Sequence, residues 1–108
     1  MNKNEYGNFI RINVGEDIST NTNELRLLSP TSVSKIKLAG DGLAVGVVDF
    51  IDNTETPPVT FLANEYVEYR TISTDIDEAG KWGVRVFSQS SDTLDCKITD
   101  NRSFNVSE

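Results

Sequence analysis

Residues 75–82 read DIDEAGKW, and the chain runs straight on into GVRVF at 83–87. Three acids, Asp75, Asp77 and Glu78, precede Gly80, and two residues later stands the only tryptophan, Trp82. From Trp82 onward the apolar residues recur at every second position, as Trp82, Val84 and Val86, with Gly83 and Arg85 between them. Period two puts successive side chains on opposite faces of an extended chain, so this is a strand with one face turned to a core. Gly80 can adopt backbone angles closed to L-residues, which suits a sharp change of direction just before that strand.

The same period recurs on either side. FIRINV alternates Ile10, Ile12 and Val14 with Arg11 and Asn13, and ELRLL places Leu25 and Leu27 on one face before Pro30 ends the run. In SKIKLAGDGLAVGVVDFID, Ile36 and Leu38 alternate with Lys35 and Lys37 ahead of AGDG, which is expected to close a hairpin. Its far arm, residues 43–51, is apolar on both faces, as expected of a strand covered on both sides or of an edge that meets a partner. DNTETPP is a loop, with Asn53, Pro57 and Pro58 supplying turn chemistry. A strand is expected from about Tyr66 to Ile72, with Val67 and Tyr69 inside and Tyr66, Glu68 and Arg70 on the solvent face. Leu94, Cys96 and Ile98 alternate in LDCKI, and Phe104 and Val106 form the last apolar pair. No run carries helical periodicity over a useful length. About seven short strands and no long helix predict an all-β sandwich in one domain, residues 8–108, with residues 1–7 a flexible polar arm.

The opening stretch also fits a specific corner. In immunoglobulin-like sandwiches an acidic, glycine-containing turn leads into a strand whose first aromatic residue bonds back to the backbone. Glu78, Gly80 and Trp82 match that layout as structural corner residues. Trp82 stands where tyrosine is usual, so its indole N–H must donate the corner hydrogen bond. Val84 stands where antibody domains carry cysteine, so no disulfide joins the sheets. The predicted fold is an immunoglobulin-like β-sandwich without the antibody disulfide.

Composition narrows the chemistry. The 108 residues hold no histidine and a single cysteine, Cys96, which cannot form an internal disulfide or a paired-thiol metal or redox motif. Cys96, on the apolar phase of its strand, is expected to be buried and inert. Lys and Arg total 10 against 17 Asp and Glu, a formal charge of −7, which argues against direct nucleic-acid binding. No window approaches the roughly 18 apolar residues of a membrane span. The start, MNKNEYGNF, has polar residues where a secretory signal would be apolar.

No catalytic constellation emerges, and the chain does not read as an enzyme. The acidic pairs Glu16 and Asp17, Asp49 and Asp52, and Asp77 and Glu78 read as solvated surface acids, since neighbours in sequence do not supply the cleft geometry of a carboxylate pair. A calcium loop from Asp75, Asp77 and Glu78 lacks regular ligand spacing. AGDG lacks the strand-to-helix context of a phosphate loop, and SQSS has no histidine to activate a serine. No cofactor or metal site is expected. Tyr66, on its exposed face, is the candidate for stacking on a sugar.

NFIRINVGEDIST, TFLANEYVEY and DEAGKWGVRVF together resemble the small virion-associated proteins of tailed bacteriophages, over about residues 8 to 106. The resemblance implies a structural module of tail, neck, baseplate or capsid, made in the host cytoplasm and carried in the virion. Its partners would be other virion proteins, in symmetric multiple copies, with no catalytic residue carried over; no membrane partner is expected, from the lack of apolar runs. An interface is expected on the apolar run Leu43 to Ile51, with Leu43, Val45 and Val47, on Tyr66, and on the arm at Tyr6. The alternative is a carbohydrate- or receptor-binding sandwich reaching a host glycan through Tyr66.

Overall fold

The computed structural model describes residues 1–92 and 95–108. Leu94, expected on the apolar phase of a late strand, lies outside the described residues. Among the described residues ten strands run in order: β1 (Phe9–Asn13), β2 (Thr22–Leu28), β3 (Ser34–Lys37), β4 (Ala44–Val45), β5 (Phe50–Asp52), β6 (Val59–Phe61), β7 (Tyr66–Arg70), β8 (Gly80–Gln89), β9 (Cys96–Ile98) and β10 (Arg102–Val106). All strand pairs are antiparallel. The expected all-β sandwich is the fold, with more and shorter strands than the expected seven, because the apolar run after AGDG is split between β4 and β5.

One sheet has the order β1-β7-β4; the larger has β10-β8-β2-β3, with β9 also on β8. β8 is the backbone of the larger sheet. Its whole second half lies against β2, while its other edge is shared by β10 along Gly80–Val84 and β9 along Phe87–Gln89. Alternation along β8 buries Trp82, Val84, Val86 and Ser88. These meet Leu25 and Leu27 from β2, Ile10 and Ile12 from β1, and Val67 and Tyr69 from β7, so the core lies between the two sheets. A third, two-stranded ribbon, β5-β6, folds over the outside of the smaller sheet.

The corner is built around Trp82, fully buried and stacked on Phe104 with centroids 6.3 Å apart. Its indole N–H donates to the carbonyl oxygen of Glu78 at 3.0 Å, four residues back. Gly80 has φ +127°, and a Cβ there would come within 2.8 Å of Pro30. Both the angle and the contact require glycine.

Three local expectations are corrected by the register. AGDG does not close a hairpin: a single 3-10 turn at Ala39–Asp41, ending on Gly42 at φ +97°, carries the chain from β3 in the larger sheet to β4 in the smaller. Lys35 and Lys37, not Ile36 and Leu38, take the inner phase of β3, because Lys37 pairs with buried Leu25 and Lys35 with buried Leu27. Cys96 is exposed, because it pairs with Gln89 on the outward phase of β8. Residues 1–7 are likewise no free arm. Lys3 N–H bonds Ser107 O at 2.7 Å, Asn4 N–H bonds Ile76 O at 2.6 Å, Gly7 N–H bonds Thr71 O at 2.8 Å, and Asn2 bridges Ser107 in parallel.

Candidate interaction surface

Five residues in one run, Val47 to Ile51, decide what the ribbon presents. Gly46 N–H bonds Tyr66 O at 3.0 Å, which holds the chain to β7 just beyond β4. It then leaves the sheet, so Val47 is 76% exposed and Val48 65%. Asp49 accepts the N–H of Ala63 at 2.8 Å and so clamps the two arms of the ribbon. Phe50 turns inward near Phe61, while Ile51 and, across the ribbon, Leu62 face solvent. The result is an aliphatic, acid-flanked ridge of Val47, Val48, Ile51 and Leu62. Aliphatic side chains clustered on an outside surface mark contact sites more often than isolated ones do.

The other expected interface residues divide. Leu43 is buried in the core and Val45 is half-buried against it, so neither offers a surface. Tyr6 is exposed and lines a shallow hollow with Arg70 and Ile72. Tyr66 was expected on an open face and is buried, which removes it as a stacking platform. The ribbon covers it: Phe61 packs edge-on at 5.3 Å, and the phenol donates to Val48 O at 2.9 Å. Gly46 makes this possible, since a Cβ there would lie 1.9 Å from the ring. Burial, and then the Glu68 carboxylate, push the Tyr66 phenol above its ordinary pKa.

A second constellation went unread in the sequence. Asp75 is buried and accepts from Tyr69 Oη at 2.5 Å and from Ile72 N–H at 2.9 Å, and pairs with Lys37 Nζ at 2.8 Å. Lys35 Nζ reaches the carbonyls of Thr74 and Asp75 and the carboxylate of Asp77. Burial would raise the Asp75 carboxyl, but the Lys37 ammonium, the Tyr69 hydroxyl and the Ile72 amide together hold it below its ordinary value. Burial, and then the hydrogen bond to Asp75, drive Tyr69 strongly upward. The cluster is a clasp that ties β3 to the 72–77 turn. Among the described residues no buried side-chain nitrogen or oxygen lacks a hydrogen-bond partner, the clasp included, which suits a structural role. The sequence carries no local signal for it, since Lys35 and Lys37 meet their carboxylates only through the strand register.

The acids weighed as sites are separately engaged. Asp77 goes to Lys35, Glu78 accepts from Thr31 Oγ1, Asp17 accepts from Ser19 and Asp52 from Thr54. Among the described residues no three of His, Cys, Asp and Glu come together as metal ligands. No helix is long and apolar enough to cross a membrane among the described residues. Against known proteins, no family model, no curated protein and no solved structure matches this chain.

Proposed function

We propose that this chain is a structural protein of a tailed-bacteriophage virion, a small sandwich module that joins or decorates tail, neck, baseplate or capsid through protein–protein contacts. The observation that carries the reading is the exposure of the aliphatic side chains of Val47, Val48, Ile51 and Leu62 on and beside the β5-β6 ribbon. A surface of this kind suits docking against a partner surface and offers no enclosed chemistry. The resemblance of NFIRINVGEDIST, TFLANEYVEY and DEAGKWGVRVF to such virion proteins supports the same class. The glycan-binding alternative drew on an open Tyr66 face and loses that support with Tyr66 buried.

Quantitative peptide mass spectrometry of washed particles from the source of the gene tests the reading. The chain should be present in a fixed ratio to the major capsid protein, with a high ratio assigning capsid decoration and a low one the neck, tail or baseplate. Absence from washed particles overturns it.

A further inference from the structure

The outward face of the larger sheet carries a charge arrangement that the isolated chain leaves unresolved. Ile36, Arg26 and Arg85 stand directly opposite one another across β3, β2 and β8. Like charges in direct cross-strand register repel. Arg26 is diverted to Glu24 and lies over the Phe87 ring, its guanidinium carbon 3.9 Å from the centroid. Arg85 has no ion pair among the described residues, in a chain whose net charge is −7. Leu28, Ile36 and Ile98 are each about half exposed around this pair. Beside them lies a hollow of about 310 Å³ bounded by Leu28, Phe87, Arg26, Arg85, Ser34 and Asn101, with the Asn101 amide lying over Gly83.

We propose that this face receives the β5-β6 ridge of a second copy of the chain. Val47 and Val48 rest against Leu28 at the edge of the hollow, and Asp49, between them and Ile51, faces Arg85. The argument is chiefly charge complementarity: a hollow with an Arg85 unpaired among the described residues, beside half-exposed Leu28 and Ile36, on one side of the molecule, exposed aliphatic side chains with an acid on another. The two patches are different surfaces, so the contact is head-to-tail and repeats from copy to copy, closing into a ring or running on as a filament. This deepens the multi-copy reading above and rests on it.

Analytical ultracentrifugation of the full chain, across concentration and salt, tests the contact. The native chain should self-associate, and less so at high salt. Arg85→Glu and Val47→Asp, both at exposed positions, should each weaken association about tenfold or more while Trp82 fluorescence stays native. Mixing the two variants should restore pairs that stop at the dimer, since one supplies an intact face and the other an intact ridge. A chain that stays monomeric up to roughly 1 mM overturns the contact, because a weaker association would not serve assembly. Loss with either variant and no rescue on mixing also overturns it, since a self-complementary contact would behave that way. A monomeric chain still found in washed particles sinks the self-contact alone, whereas an associating chain missing from particles sinks the virion reading alone.

Discussion

Asp75 shows how much one side chain can hold. It is 1% exposed, and its partners come from three places: Lys37 on β3, Tyr69 on β7 and the amide of Ile72. Asp75→Asn keeps the shape, removes the charge and leaves Lys37 half-buried without its counter-ion. The expected loss is about 3 kcal/mol in urea unfolding near neutral pH. The same carboxyl gives a pH dependence. Its pKa is lower folded than its ordinary 3.8, so the unfolded chain binds more protons as pH falls through that value. Its contribution is complete above the unfolded pKa and is lost as pH drops towards the folded one. Native stability should therefore fall below about pH 4 more steeply than that of Asp75→Asn, and equal slopes would show that the clasp is not charged in solution. Trp82 was legible from the sequence because its role is local: an aromatic two residues after a glycine, bonding four residues back. Asp75 was not, because its partner Lys37 is 38 positions away in the chain, 75 minus 37, and only register brings them together.

At the scale of elements, alternation located the strands but not always which phase faced in. β2, β7 and β8 were legible because apolar residues hold the inner phase without competition. β3 read backwards, since Ile36 and Leu38 were the apolar residues and the half-buried lysines took the inner phase. Its phase was set by pairing with Leu25 and Leu27 and by carboxylates waiting beneath. Tyr66 misled for a different reason: its face of β7 is outward in a two-sheet sandwich, and the ribbon adds a third layer there. That ribbon depends on the Tyr66 phenol. Tyr66→Phe deletes the bond to Val48 O, and the amides of β5 and β6 should exchange with solvent about tenfold faster. Amides of β2 and β8 should keep their protection. Uniform acceleration throughout would show that Tyr66 stabilises the whole domain and not the ribbon.

At the scale of the whole molecule, the first residues belong to the body. Lys3, Asn4 and Gly7 each donate a backbone hydrogen bond to it, and Met1 O accepts from Ser107 N–H. Deleting residues 1–7 should lower stability by roughly 1–3 kcal/mol, read as a drop in Tm, because the acceptors left behind are only partly rehydrated. An unchanged Tm would mean that the segment is free in solution. The sequence showed it as polar and therefore loose, since its bonds are made by backbone and carry no side-chain signature. The Asn2–Ser107 bridge has a further meaning. The two ends of the chain lie side by side, so the path through the sandwich is a loop cut at a single point. A short linker from Glu108 back to Met1 would heal that cut, and a new one within DNTETPP would leave every strand pair in place. A chain permuted in this way should keep the native near-UV signal of buried Trp82, and loss of that signal would show that the order of the strands along the chain matters to the fold.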